Sequence, residues 1–244
     1  PGYLSCNMPR KPATIRRMQN AIKENDIALM REAIADGADV NRKDRDGYPY
    51  LTRALLESYY DIGYYDIAKL LIERGADVNL RGKNDMTAIG RAVSSGNMEM
   101  VRMLIEYGAD VNVTEPPVMI TPLHWACRAD SRLKKHYTED VRTSIVSMLI
   151  DHGADVNARE RHGEPPLLYA CYLGYPETAR LLLERGADPE AESNFSISPF
   201  DAVLKLKEDN PAREELIELF QEYAPDIVFG KFCTMNMAPG MVLH

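Results

Sequence analysis

At 244 residues and 45% hydrophobic composition, the chain is long enough for one large domain, two ordinary ones, or a stack that grows by adding units. Its formal net charge of −8 argues against a general nucleic-acid binder, which needs a basic face to displace counterions. No apolar run reaches the ~18 residues that span a bilayer, and Pro1 to Pro12 lacks the apolar core of a signal peptide. The mixed stretches Arg42-Lys43-Asp44-Arg45 and Arg81-Gly82-Lys83 read as solvated loops. Cys6, Cys127, Cys171 and Cys233 form no Cys-x-x-Cys pair and are too sparse for a disulfide scaffold, so reduced thiols in an intracellular, cytoplasmic protein are expected.

Along the chain, the first periodic stretch is a polar helix carrying Arg16, Arg17, Gln19 and Asn20. A second follows, with Leu29, Met30, Ala33 and Ile34 on one face. It ends at Gly37, which opens the segment Gly-Ala-Asp-Val-Asn. That segment recurs at Gly75, Gly108 and Gly153, and a degenerate Gly-Ala-Asp-Pro-Glu begins at Gly186. The steps between copies are 38, 33, 45 and 33 residues, and a recurring step of 33 marks an internal repeat. Each copy terminates an apolar helical run, as in Ile67-Ala68-Lys69-Leu70-Leu71-Ile72 before Gly75. Glycine suits that place because helices commonly end on a left-handed residue.

Upstream of each such helix lies another with its own start signal. The clearest is Thr121-Pro122-Leu123-His124-Trp125-Ala126, with Thr121 as N-cap and Pro122 at the first helical position. Thr87-Ala88-Ile89-Gly90-Arg91-Ala92, Pro165-Pro166-Leu167-Leu168-Tyr169-Ala170, Ser198-Pro199-Phe200-Asp201 and the weaker Pro49-Tyr50-Leu51-Thr52-Arg53-Ala54 keep the same register. On these residues the chain resembles the ankyrin-repeat family. The resemblance implies an all-α solenoid of helix pairs joined by β-hairpin fingers, with about six repeats near 14–43, 44–81, 82–114, 115–159, 160–192 and 193–225. An N-terminal extension, 1–13, and an apolar but aperiodic tail, 226–244, flank them. Longer connections fall between the two helices of a repeat, within Glu57–Asp66, Arg128–Thr143 and Leu206–Pro211. Polar outer helices at both ends predict a complete array and a monomer.

Most chemistry-bearing residues have a structural reading. His124 occupies the family's structural histidine position, a strut between loops. His136, His152 and His162 are scattered, without the spacing of a zinc site, so no metal, cofactor or catalytic residue is expected. Cys127 and Cys171 fall at equivalent positions and read as buried free thiols. Asp39, Asp77, Asp110, Asp155 and Asp188 recur with the repeat and read as caps of local backbone. Asn79, Asn112 and Asn157 fit only the general motif of asparagines hydroxylated in some members of the family.

The family's concave face, made by finger tips and the exposed side of each first helix, implies a different role for positions the repeat leaves free. Mapped in register these are Arg45, Tyr48 and Leu56; Lys83 and Met86; Val118, Ile120 and Arg128; Arg161, His162, Tyr172 and Leu173; and Phe195 and Ile197. Apolar residues at wet positions mark an interaction site. The expected function is therefore non-catalytic binding of a protein or peptide, with an acidic or amphipathic segment suited to the charges. The Tyr-rich insert Ser58–Tyr65 reads as a lengthened helix pair that buries its rings locally, the alternative being a second contact point, and the basic insert Ser131–Tyr137 is expected to project. The alternative is an enzyme or host-directed effector whose site lies in the repeat-four insert and the tail, with His136 and Asp140.

Overall fold

A computed structural model describes residues 12–57, 65–128 and 137–236. The N-terminal residues through Lys11, most of the Tyr-rich insert, the 129–136 portion of the basic insert with His136, and the tail beyond 236 lie outside the described residues. Among those described, thirteen α-helices and one 3-10 turn are present and no strand. In order, α1 is Pro12–Glu24, α2 Ile27–Ala35, α3 Tyr50–Glu57, α4 Tyr65–Glu73, α5 Ala88–Ser95, α6 Met98–Glu106, α7 Pro122–Arg128, α8 Glu139–Asp151, α9 Pro166–Leu173, α10 Pro176–Glu184, α11 Pro199–Leu204, α12 Pro211–Tyr223 and α13 Pro225–Asn236. The fold class is all-α, as the repeat predicts.

The chain divides into two compact units, one of Pro1–Ala92 with Glu99–Ala109, the other of Val93–Met98 with Asp110–His244. In the first, α1 packs on α2, α3 on α4, and each member on its counterpart in the next pair. Met30, Ala33, Leu51, Leu55, Ile67, Leu70 and Leu71 are buried between them. The second repeats the rule: α7 meets α8 and α9, α9 meets α10 and α11, and α8, α10 and α12 line up behind. Its core holds Leu123, Ile145, Leu149, Leu168, Leu182 and the Phe200–Phe220 pair, ring centroids 5.2 Å apart. Each such side chain contributes roughly 1.5–3 kcal/mol by leaving water, so a helix pair that hides its oily face only against the next is stable only in a stack.

The glycines behind the second helices adopt the left-handed conformation; Gly186, for example, has φ +89°. After each, the aspartate accepts from the backbone two residues on. Asn79 N–H donates to Asp77 at 2.9 Å, and Asn41, Asn112, Asn157 and Glu190 do the same to Asp39, Asp110, Asp155 and Asp188. The asparagines then reach the following repeat. Asn112 Nδ2 donates to the Gly153 carbonyl at 2.8 Å while its Oδ1 accepts from Asp155 N–H at 2.8 Å, and Asn157 repeats both bonds to Gly186 and Asp188. Asn41 does likewise with Gly75 and Asp77. This ladder gives the Val-Asn pair its structural meaning.

The fingers pair at isolated antiparallel bridges, Lys43 to Pro49 and Glu115 to Ile120. In the tail, α13 packs on α12, burying Val228 and pairing Lys231 Nζ with Asp201 at 2.6 Å. Two expectations need correction. Tyr137, the last residue of the basic insert, does not project but is fully buried against Gly96. Beyond it, α8 starts a turn earlier, relative to its glycine, than α10 does. Finally, Ile120 is only 3% exposed, because its backbone pairs with Glu115 and turns the side chain inward.

The early start of α8 has a further effect. Thr138 caps it. Glu139, in its first turn, accepts from the Thr178 backbone N–H at 3.1 Å, so α10, which has no side-chain cap of its own, is capped by the preceding repeat. Just beyond, the Arg142 guanidinium is fully buried, 3.4 Å from the Tyr175 ring centroid and 5.3 Å from that of Tyr137.

Candidate functional site

Each finger is closed by a backbone bond across its turn: Asp44 N–H to Tyr48 O, Gly82 to Met86, Glu115 to Ile120, Glu160 to Glu164 and Ser193 to Ile197, all 2.7–3.3 Å. In the second unit neighbouring fingers are also stitched to one another. Arg161 N–H donates to Val118 O at 2.7 Å, Asn194 N–H to His162 O at 2.8 Å, and the Arg159 guanidinium to Glu192 O at 2.5 Å. Gly163, at φ +74°, brings the backbone against Asn194, where a Cβ would lie 2.5 Å from its Oδ1. Surfaces held this firmly lose little freedom on binding.

His124 fastens the first helix to the next finger. A carbonyl only accepts, so the 3.0 Å contact of Nε2 with Glu164 O places the proton on Nε2. Nδ1 then faces the Thr121 hydroxyl at 2.7 Å as acceptor. Burial lowers the imidazole's affinity for a second proton, against the weaker opposing pull of Glu164 O and the Glu160 charge. Cys127 and Cys171 are fully buried, and desolvation pushes the Cys127 thiol up to about 12 and raises Cys171 as well.

Pattern reading missed the residue four places after the cap. At that place Trp125 Nε1 donates to Glu115 at 2.9 Å, and the Tyr169 hydroxyl donates to Glu164. In the first unit Arg53 pairs with Asp44 and Asp46 at 2.5 Å each and lies 4.7 Å from the Tyr48 ring centroid. All three tie the first helix to its own finger. The signal available in the sequence was a long polar or aromatic side chain at the one variable place in the Thr-Pro-Leu-His-x-Ala signature.

The other mapped residues are distributed as follows. In the first unit Arg45 lines a cleft of about 380 Å³ with Gln19, Asp46 and Glu57. Tyr48 is half-buried against Gly82, Leu56 and Met86 are half-buried, and Lys83 is exposed. In the second, Arg128 is exposed with its guanidinium 5.9 Å from the Trp125 ring. Tyr172 is half-buried with Lys205 Nζ 5.9 Å from its ring, and Leu173, Val118 and Ile197 are half-buried. Arg161 is exposed, and exposed His162 stacks on Phe195, itself 63% exposed. Arg128, Arg161, His162, Tyr172 and Phe195 thus all belong to the second unit, on three successive fingers and first helices. Among the described residues five large exposed apolar side chains fall outside that set: Met119 on a finger, and Met98, Tyr107, Tyr223 and Phe229 on second helices or beyond.

A family model described as ankyrin repeats, in three copies, matches residues 61–134 and 117–193. The chain is 30% identical over 150 residues to the human protein phosphatase 1 regulatory subunit 27, covering 60% of this chain and 83% of that one. It is 36% identical over 77 residues to the potassium channel AKT1 of Oryza sativa subsp. indica, and 33% identical over 85 residues to alpha-latrocrustotoxin-Lt1a of Latrodectus tredecimguttatus. These cover 32% and 34% of this chain but only 8% of the channel and 6% of the toxin. A regulatory subunit, a channel and a toxin are proteins of different kinds, so the likeness speaks to architecture. The aspartate turns, the asparagine ladder, the His124 strut and the matched model agree that this chain belongs to the ankyrin-repeat family, whose repeats imply a protein–protein interaction module.

Proposed function

We propose that the chain is a non-catalytic module that binds a protein or peptide through the finger tips and first-helix surfaces of its repeats. The observation that carries this is the second unit's set of Trp125, Arg128, Tyr169 and Tyr172 on α7 and α9 and Phe195 on a finger, aromatic and basic side chains left at least partly open beside fingers that are hydrogen-bonded to one another. Aromatic residues and arginine are the types that dominate interface centres. The relative with the greatest coverage being a regulatory subunit of an enzyme fits an auxiliary role. Further support comes from the nucleophile candidates: both core thiols are buried and held protonated, and both ring nitrogens of His124 are engaged. Of the rival site, His136 and the tail beyond 236 lie outside the described residues, and Asp140, within them, is an exposed helix-start residue.

The test is the triple variant Tyr48→Ala, Met86→Ala and Tyr172→Ala, compared with the parent in affinity capture read by mass spectrometry. Proteins retained by the parent should be absent from the variant, with far-UV circular dichroism and melting nearly unchanged. A variant that keeps its fold and retains the same proteins contradicts the proposed surface. Collapse of the fold assigns the three side chains to packing.

A further inference from the structure

We infer that the partner segment recognised by the second unit is an extended acidic peptide with interspersed apolar residues, an inference that rests on the binding role just proposed. Three stretches, 115–128, 160–173 and 193–205, carry it through the charges they expose. They contain four carboxylates, Glu115, Glu160, Glu164 and Asp201. All four are committed within the fold. Glu115 accepts the Trp125 indole, and Glu164 the Tyr169 hydroxyl. Glu160 accepts the His162 and Glu164 backbone N–H groups at 2.6 and 3.2 Å. Asp201 accepts from Ser198 and pairs with Lys231.

The same stretches carry three exposed full cations, Arg128, Arg161 and Lys205, none with a carboxylate partner among the described residues. Arg161 touches only the Pro117 carbonyl, at 3.5 Å, while Arg128 and Lys205 sit beside ring faces. Elsewhere in the unit Arg185 pairs with Asp151 at 2.6 Å and Arg180 with Glu222 at 3.2 Å, while Arg159 is held by the Gly163 and Glu192 carbonyls. Four carboxylates against three cations total −1, but the carboxylates are buried or half-buried and every exposed full charge on this aromatic strip is positive. Unpaired surface cations facing a partner set which charge it must bring and speed its approach.

The spacing fixes the register. Arg128 and Lys205 stand at equivalent places on α7 and α11, with Tyr172 between them on α9, and α9 packs against both neighbours. Packed helices lie ~8–10 Å apart, and an extended peptide rises ~3.3 Å per residue. Two helix steps therefore correspond to about six peptide residues. The expected pattern is an acidic residue, an apolar one about three places on over Tyr172, and a second acidic residue about three beyond that.

The test uses the full chain and a phage-displayed random peptide library about twelve residues long, enough to cross the strip. Affinities of the selected peptides are then read by fluorescence anisotropy on the parent and on the double charge reversal Arg128→Glu, Lys205→Glu, both residues being exposed. Selected sequences should be net acidic with acids about six places apart, and should lose at least about tenfold in affinity on the reversal. Replacing the peptide's acids with lysine should restore binding to the reversed protein. Neutral or basic selected sequences, undiminished binding to the reversal, or no enrichment at all overturns the inference. So does an oligothymidylate of similar length that binds more tightly than the best peptide. A neutral consensus whose binding is lost in Tyr172→Ala removes the acidic assignment and leaves the binding role intact. Peptides indifferent to both Tyr172→Ala and the reversal remove the two together.

Discussion

His124 shows how one side chain can be read correctly in outline and still carry a consequence visible only in coordinates. The signature fixed its structural place, while its neutral tautomer follows from the Glu164 carbonyl on one side and Thr121 on the other. With its folded-state proton affinity lowered, the unfolded chain takes up a proton first as pH falls, so stability is complete above the free value of about 6.5 and declines below it. Melting temperatures between pH 7.5 and 5.5 should fall for the parent and stay flatter for His124→Gln. Parallel curves would mean that the imidazole titrates as it does in the unfolded chain. Glu139 acts in the opposite sense: burial raises it, which favours folding at lower pH, so the comparison between variants isolates the histidine. The asparagine ladder was less legible. A single sequence shows that the Val-Asn pair recurs, but not that its amide spans to a glycine carbonyl 29 residues away, as Asn157 does to Gly186.

Elements were legible where the period was strong and obscure where a connection lengthened. The helix pairs and their left-handed glycines follow from local pattern, because a buried stripe and a left-handed stop are properties of a few consecutive residues. The inward turn of Ile120 and the burial of Tyr137 depend on what each segment meets after folding. Gly96 makes the point measurable. Its φ is +78°, and a Cβ there would lie 2.5 Å from the Tyr137 ring, whereas at Gly186, with φ +89°, a Cβ would meet open space. Gly186→Ala should cost about 1 kcal/mol of backbone strain. Gly96→Ala should cost at least about 1 kcal/mol more, by chemical denaturation, and Tyr137→Ala in the same chain should remove part of that excess. Equal costs at the two glycines would place the tyrosine elsewhere. The α13 helix is less legible for a related reason: Val228 is the buried apolar residue among its described side chains, and a single one sets no period.

For the molecule as a whole, repetition made the architecture readable and the partner unreadable, since the residues that define a repeat are those that cannot distinguish one member of the family from another. What distinguishes this chain is charge placement. Its net charge is −8, yet the exposed full charges on 115–128, 160–173 and 193–205 are Arg128, Arg161 and Lys205. Added salt should therefore act in two directions. Between about 0.05 and 0.5 M it should raise the melting temperature slightly by screening self-repulsion, and weaken capture of the selected acidic peptide. Responses of the same sign would show that the two properties share one source. The borrowed cap of α10 bears on how such a chain comes into being. Because the carboxylate that seals this helix is translated 39 residues before the amide it receives, a nascent chain leaving the ribosome already holds the stopper when the helix needing it emerges. A fragment begun downstream of Glu139 would have to close that end with water alone, so the order of synthesis is written into the way one module finishes the next.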